Sequence, residues 1–208
     1  MDNNALRKIP YGLFVLTAKN ETKMNGCIIN TAMQVANKPL SISISINKSN
    51  YTYDIIKETK AFNVSVISEK ATFSLFKHFG FQSGRDIDKF DSFSSWLTAK
   101  NGIPFITEGT NAYFSVKVTG SVDFDSHTVF YGTVTDMEVL SDVKSATYDY
   151  YAENIKEKRK TTEGEKKEGK IVWVCTVCGY EYEGDVLPAD FICPICKHPA
   201  SDFVKEIR

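Results

Sequence analysis

Apolar and polar side chains alternate strictly over residues 40–46, LSISISI, and predict a β-strand with one buried face. Four other segments rich in β-branched and aromatic residues are also predicted as strands: residues 11–18, 62–67, 112–124 and 128–140. The chain is therefore expected to be rich in strands.

Apolar residues recur at helical spacing over residues 53–58 and 68–79, which predicts two helices. In the second segment Phe73, Phe76 and Phe79 recur three residues apart. Strands still dominate, and the edges of a sheet need closure or cover. We therefore expect a mainly β fold, an antiparallel barrel decorated with helices.

The composition changes sharply at residues 153–170, which hold seven Lys or Arg, five Glu and one large apolar residue. Such a segment cannot build a core, and we interpret it as a charged, flexible linker. The predicted organisation is a barrel over residues 1–152, this linker over residues 153–170 and a small module over residues 171–208.

The whole chain is 42% hydrophobic and 25% charged, with a formal net charge of −1, which is typical of a globular protein with a packed core. A basic stretch interleaved with aromatic residues is missing, so nucleic-acid binding is disfavoured. The sequence also shows neither a signal peptide pattern nor an apolar run approaching ~18 residues, so we expect a cytoplasmic protein that does not bind membranes.

Four of the five cysteines form two C-x-x-C pairs, Cys175 with Cys178 and Cys193 with Cys196. The pairs are separated by 14 residues, so their thiolates can occupy the corners of one tetrahedral metal site. Sulfur ligands suit zinc and iron alike, and a zinc ribbon that only folds the module is the alternative to a redox centre. The fifth cysteine, Cys27, is expected to be a small buried residue.

The residues around the thiolates favour iron. The motifs CxxCGY and CPxC resemble a rubredoxin of the shortened kind, with Trp173, Tyr180, Tyr182 and Phe203 available as an apolar cover. The resemblance spans residues 171–207 and implies one iron, held by the four cysteines, that carries single electrons.

Four segments of the first unit resemble the flavin reductase-like family with its FMN-binding split barrel. They are YGLFVLTAKN at residues 11–20, NGCIINTAMQV at 25–35, NKSNYTYDIIKETKAFNVSV at 47–66 and FGFQSGRDIDKF at 79–90. The resemblance implies that the antiparallel barrel is of the split kind and binds FMN.

FMN carries a dianionic phosphate, a hydroxylated ribityl chain and a ring edge with donors and acceptors, which small polar side chains, backbone amides and cations can bind. On the family pattern, Asn30, Thr31 and Gln34 would line the ring and ribityl chain, Asn47, Lys48, Ser49 and Asn50 the phosphate, and Ser83, Gly84 and Arg85 would complete the pocket. Each residue taken singly is equally consistent with an ordinary turn.

His127 lies in DSHTVFYGTV, which resembles the D-x-H-x-x-x-x-G motif that many of these reductases place beside the flavin. The resemblance implies that His127 helps to receive the nicotinamide, where a histidine can balance charge as hydride arrives. The alternative is a polar residue of a hairpin turn. Since no G-x-G-x-x-G follows a strand, NAD(P)H is expected to bind against the flavin and not in a Rossmann fold.

A hydride donor gives up two electrons together, whereas a single iron accepts one, and a flavin mediates between them. The two units together resemble the high-molecular-weight rubredoxins of anaerobic bacteria, which are NAD(P)H:rubredoxin oxidoreductases. This resemblance implies a homodimer and a flavodiiron protein as acceptor, which reduces oxygen or nitric oxide. The alternatives are a flavin reductase that releases reduced flavin, and a non-catalytic flavin-binding barrel with a structural zinc ribbon.

Overall fold

The computed structural model of the chain describes residues 5, 8–157, 171–175, 180–193 and 199–207. The chain divides into two compact units, Met1–Glu157 and Lys158–Arg208. Most of the predicted linker, residues 158–170, lies outside the described residues, and the predicted boundaries at residues 152 and 170 stay predictions.

The larger unit is built mainly from strands. They are β1 (Phe14–Lys19), β2 (Met24–Ile29), β3 (Ala32–Asn37), β4 (Leu40–Asn47), β5 (Ala61–Ile67), β6 (Trp96–Thr98), β7 (Pro104–Ile106), β8 (Thr110–Asp123) and β9 (His127–Val139). The helices are α1 (Tyr51–Thr59), α2 (Phe73–Gly80) and the short α3 (Tyr148–Tyr150), which continues as a π-helix over Tyr151–Ile155. All five predicted strands are present, with ends that differ by up to three residues.

Seven of these strands form one antiparallel sheet in the order β2-β1-β5-β8-β9-β4-β3. The strands β2 and β3 are its two edges, yet only Asn30 and Thr31 separate them along the chain. The two edges must therefore approach each other at this corner, so the sheet curls into a barrel that stays open between them. The predicted mainly β fold, an antiparallel split barrel with helices, is confirmed.

The barrel core follows the alternation of β4, because Ile42, Ile44 and Ile46 are buried and pack with Phe62 and Phe130. Helix α1 adds Tyr53, Ile55 and Ile56 to the same core and is longer than predicted at both ends.

Helix α2 contributes Leu75, Phe76 and Phe79 to a second core. This helix starts at Phe73 and not at residue 68 as predicted. The reason is that Ser68 directly follows β5, and its backbone N–H donates to Gly109 O, next to the start of β8, at 2.8 Å.

A hairpin of β6 and β7 covers the outer face of β1 and β5, where the side chains are polar and buried. Thr17 Oγ1 donates to Pro104 O at 2.5 Å, Asn63 Nδ2 donates to Ile103 O at 2.9 Å, and Ser65 Oγ accepts from the backbone N–H of Ile106 at 2.9 Å. These hydrogen bonds satisfy polar groups that alternation alone would place in water.

The smaller unit holds a three-stranded antiparallel sheet in the order β11-β10-β12. The strands are β10 (Ile171–Cys175), β11 (Glu181–Glu183) and β12 (Phe203–Ile207), and a 3₁₀ turn over Ala200–Asp202 leads into the last one. Among the described residues of the chain, no helix is long and apolar enough to span a bilayer.

Candidate functional site

The turn between β4 and α1 contains the residues predicted to bind the phosphate. Asn47 Oδ1 accepts hydrogen bonds from the backbone N–H and the hydroxyl of Ser49, both at 2.9 Å. Asn50 Oδ1 accepts from the backbone N–H of Thr52 at 3.0 Å and so caps α1. The two asparagines therefore shape a turn at the amino end of a helix, where the positive end of the helix dipole favours an anion.

Lys48, in the same turn, is tied to the end of the β8–β9 hairpin. Its Nζ lies 3.5 Å from Asp123 Oδ1, and its backbone N–H donates to Ser126 O at 2.9 Å. Thr128 Oγ1 donates to the same carboxylate oxygen at 2.5 Å. The hydrogen bond from Thr128, together with the charge of Lys48, lowers the pKa of Asp123, so the carboxylate stays charged beside Lys48.

His127 is the first residue of β9 and lies opposite Asn47 of β4 in the antiparallel register. Its side chain is half-buried, and Nδ1 is 2.8 Å from Ser126 Oγ. The structure thus brings His127 and the predicted phosphate turn to the same end of the sheet.

The corner between β2 and β3 holds two of the residues predicted to line the flavin ring. Thr31 Oγ1 donates to Ser45 O at 3.0 Å, and Ser45 lies two residues before Asn47 in β4. Asn30, which precedes Thr31, is half-buried. Gln34 lies further along β3, and its amide donates to Asn37 Oδ1 and to Ala36 O. These contacts join the amide of Gln34 to residues at the end of β3.

Arg85, from the predicted Ser83-Gly84-Arg85 loop, lies against the first turn of α1. One guanidinium nitrogen is 2.6 Å from Asp54 Oδ2, and the guanidinium carbon is 5.3 Å from the centroid of the Tyr51 ring. Lys23 Nζ lies 5.4 Å from the same centroid and donates to Gly84 O at 2.6 Å. Two cations therefore approach Tyr51, one from the loop and one from the end of the β1–β2 hairpin.

Gly84 lies directly against Asn25 of β2, since a Cβ at Gly84 would be 2.1 Å from Asn25 Oδ1. Asn25 is fully buried, and its Nδ2 donates to Thr52 Oγ1 of α1 at 2.9 Å. Within the described part of the chain, Asn25 Oδ1 has no hydrogen-bond partner. A buried acceptor of this kind is normally satisfied, and a ligand donor or an ordered water can do so.

These contacts show that one end of the barrel fits the chemistry of FMN. Lys48 and Arg85 supply positive charge, the amino end of α1 adds the positive end of its helix dipole, and Thr31 offers a hydroxyl. Lys48 and Arg85 each have a carboxylate neighbour, so their charge is partly neutralised, and the dipole of α1 adds to the attraction for a phosphate.

Sequence reasoning missed Asn25, Thr52 and Lys23, and no spacing rule identifies them. Asn25 stands within the segment NGCIINTAMQV that carries the family resemblance, which is the only signal that points to it.

In the smaller unit, Cys175 and Cys193 are buried in one aromatic cluster, with 1% and 0% of their surface exposed. The cluster is completed by Leu187, Phe203, Trp173, Tyr180, Tyr182, Phe191 and Ala200. The backbone N–H of Cys175 donates to Tyr180 O at 2.9 Å. The other two predicted ligands, Cys178 and Cys196, lie outside the described residues. Two cysteines that converge inside an aromatic shell fit a sulfur-ligated metal screened from water.

Comparison with known families matches both units. The model described as "Flavin reductase like domain" matches residues 6–159, and the model described as "Rubrerythrin, rubredoxin-like domain" matches residues 173–204.

Two relatives match most of the chain. The high molecular weight rubredoxin of Moorella thermoacetica is 35% identical over 223 residues, which cover 94% of this chain and 96% of the relative. The ferric-chelate reductase (NAD(P)H) of Archaeoglobus fulgidus is 37% identical over 152 residues, which cover 73% of this chain and 89% of the relative.

Solved structures show the same barrel. An FMN-binding protein from Thermus thermophilus superposes with a TM-score of 0.58 at 21% identity, covering 64% of this chain and 72% of that chain. At this identity the likeness speaks for the fold alone.

Proposed function

Since this chain belongs to the flavin reductase-like family and carries a C-terminal rubredoxin-like domain, we propose that it is an NAD(P)H oxidoreductase that sends electrons through FMN to a rubredoxin Fe(Cys)4 centre. An external acceptor then takes the electrons from the iron. The observation that carries this proposal is the fusion itself, because a hydride acceptor and a one-electron carrier complement each other within one chain.

FMN, when bound, accepts an electron pair as hydride and can release the electrons one at a time. Around it, the turn that contains Asn47, Lys48, Ser49 and Asn50 binds the phosphate at the amino end of α1, and Arg85 adds positive charge. Asn30, Thr31, Gln34, Ser83 and Gly84 remain the proposed contacts to the rest of the flavin. His127 orients the nicotinamide and holds or gives up a proton as charge moves.

The metal is held by Cys175, Cys178, Cys193 and Cys196, and the aromatic shell around Cys175 and Cys193 keeps water from the sulfurs. Iron is favoured over zinc because the relative from Moorella thermoacetica, which matches over nearly its whole length, is a rubredoxin by name.

We further propose a homodimer. Met33 of β3, Ser43 of β4 and Tyr131 of β9 are direct neighbours in the sheet register and form one row on its outer face. Met33 is 66% exposed and Tyr131 39% exposed, and Val35, two residues further along β3, is 51% exposed, so this face presents apolar surface that a second copy would bury.

The external acceptor that we propose is a flavodiiron protein, which reduces oxygen or nitric oxide in the cytoplasm. Support for this acceptor comes from the likeness to high molecular weight rubredoxins alone.

The first test is the visible spectrum of the protein purified without added flavin, together with metal analysis. We expect flavin and ferric-thiolate bands, both bleached by anaerobic NADH or NADPH. A yellow or colourless protein that contains zinc, with no bleaching of iron bands, would overturn the proposal. Flavin that is lost during gel filtration would instead favour a flavin reductase that releases its product.

A cysteine substitution then separates the two units. Cys178→Ser should remove the ferric-thiolate bands and the one-electron output, while reduction of FMN by NAD(P)H stays within about twofold. Cys27→Ala is the matched control, since Cys27 is buried in the barrel and should leave the iron bands unchanged. Loss of flavin reduction in Cys178→Ser, with the barrel still folded, would contradict the division of labour.

A further inference from the structure

Lys89 is a buried lysine, with only 2% of its surface exposed. Its ammonium donates to two backbone carbonyls, Gly26 O of β2 and Phe79 O of α2, both at 2.8 Å. Burying a lysine is costly, and desolvation lowers the pKa of Lys89 to about 8. The two hydrogen bonds offset part of this desolvation cost.

The two carbonyls belong to elements that flank one particular loop. Residues 81–88, here called the 81–88 loop, leave the carboxyl end of α2 and run to Lys89. Phe79 lies in the last turn of α2, where carbonyls carry partial negative charge and favour a cation. The carbonyl of Lys89 is itself 2.6 Å from His78 Nε2. Lys89 therefore fastens the end of the 81–88 loop to α2 through both its side chain and its backbone.

A second lysine holds the same loop from the other side. Lys23 Nζ donates to Gly84 O at 2.6 Å and to Ile87 O at 3.0 Å. Gly84 also packs on Asn25, which neighbours Gly26 in β2. The 81–88 loop is thus held by two lysines. Lys23 donates to carbonyls of the loop itself, and Lys89, at the end of the loop, donates to carbonyls of β2 and α2.

We propose that Lys89 is a positioning residue for the flavin site, and that its ammonium holds the 81–88 loop against β2 and α2 so that the loop is preorganised to bind FMN. This inference rests on the proposed function, because it assigns the loop to the flavin. A loop that is already ordered loses little conformational entropy when a ligand binds. A looser loop must be ordered on binding, so FMN binds more weakly although every contact to FMN is still available.

The test uses the full chain freed of flavin, titrated with FMN by fluorescence. Lys89→Met keeps the apolar stem and removes the donors, and we expect FMN affinity to fall about tenfold. Phe105→Leu is the matched control, since Phe105 of β7 is buried against Tyr113 and this change should lower stability without lowering FMN affinity. Lys89→Gln retains two N–H donors and should restore part of the affinity.

Hydrogen exchange of the flavin-free protein gives a readout that does not depend on FMN. We expect faster exchange in residues 81–90 of Lys89→Met, with exchange elsewhere as in the natural protein. Unchanged exchange in this segment would overturn the role of Lys89. Faster exchange with unchanged FMN affinity would overturn the assignment of the loop to the flavin. The proposed function fails separately if the natural protein binds no FMN.

A pH profile of the natural protein covers the case in which Lys89→Met does not fold. Lys89 faces Cys27 of β2, whose pKa is raised by burial, and it also senses the charge of Lys23. Between pH 7 and 9 the ammonium loses its proton, and because charge-assisted hydrogen bonds are about twice as strong as neutral ones, FMN affinity should fall roughly threefold. An affinity that stays constant over this range would overturn the proposal.

Discussion

His127 lies directly opposite Asn47 where β4 and β9 pair. One residue starts a strand and the other ends one, so the antiparallel register alone brings them within about 5.5 Å between Cα atoms. The residue that we propose for the nicotinamide and the turn that we propose for the phosphate are therefore held by the same ladder of backbone hydrogen bonds.

Replacing His127 should affect the nicotinamide and leave the flavin in place. We expect His127→Gln to raise the KM for NAD(P)H about tenfold, while FMN affinity stays within about twofold. The reason is that Nδ1 of His127 lies 2.8 Å from Ser126 Oγ of the β8–β9 hairpin, whereas we propose that the phosphate binds at the amino end of α1. Stopped-flow reduction of bound FMN measures the effect.

Glu138→Gln is the control for this experiment, because Glu138 is exposed near the far end of the same strand. If the KM of His127→Gln for NAD(P)H equalled that of the natural protein, His127 would be only a polar residue of the hairpin.

Replacing Gly84 should weaken FMN binding through Asn25. The new methyl group of Gly84→Ala would be 2.1 Å from Asn25 Oδ1, and Asn25 is buried and bonded to Thr52 of α1. We expect a loss of about 1–3 kcal/mol in the free energy of unfolding and about tenfold weaker FMN binding. Denaturant unfolding and fluorescence titration measure the two effects.

Gly102→Ala provides a matched control. Gly102 has φ +78° with no atom within 4 Å of an added Cβ, so alanine is strained there but meets nothing. This variant should lose stability and keep its FMN affinity. If both glycine variants lost FMN equally, the contact between Gly84 and Asn25 would not be the cause.

Ionisation of Tyr113 should make the barrel less stable at alkaline pH. Burial, with a hydrogen bond to Asp136 Oδ2 at 2.8 Å, raises the pKa of Tyr113 to about 12. The unfolded chain has an ordinary tyrosine pKa of about 10. Above that value the unfolded state loses the proton first, so stability is fully present below pH 10 and declines as pH rises towards 12.

Tyr113→Phe should flatten this decline between about pH 10 and 11.5, since the ring can still stack on Phe105. Tyr148→Phe is the control, because Tyr148 is 41% exposed and belongs to no proposed site, and this change should leave the decline unchanged. The measurement is the urea midpoint across this range. A decline of the same steepness in Tyr113→Phe would assign it to another group.

The sequence allowed the barrel to be predicted where periodicity was strong. Alternation over residues 40–46 reports burial directly, and Ile42, Ile44 and Ile46 are buried as expected. The strands β2 and β3 went unpredicted because MNGCII and AMQVAN do not alternate, and β3 is also irregular between Gln34 and Ala36. Edge strands with a covered or bulged face carry little periodic signal.

The polar layer beneath β6 and β7 was also beyond prediction. Thr17, Asn63 and Ser65 have the pattern of side chains that face water, and they are buried because a hairpin from distant residues provides hydrogen bonds. Lys89 is a similar case, since lysine is almost never fully buried and its two acceptors are backbone atoms. Every residue has a backbone carbonyl, so the sequence cannot indicate which carbonyls will accept from a buried lysine.

The order of strands in the sheet has a consequence for how the barrel forms during synthesis. The hairpins β1–β2 and β3–β4 emerge first, yet they end at opposite edges of the sheet, and β8 and β9 lie between the two halves. The edge of β5 stays unpaired until residue 123 has left the ribosome, and the edge of β4 until residue 139 has done so. Nascent chains stalled near residue 110 should therefore depend on chaperones, whereas chains stalled beyond residue 157 should resist protease.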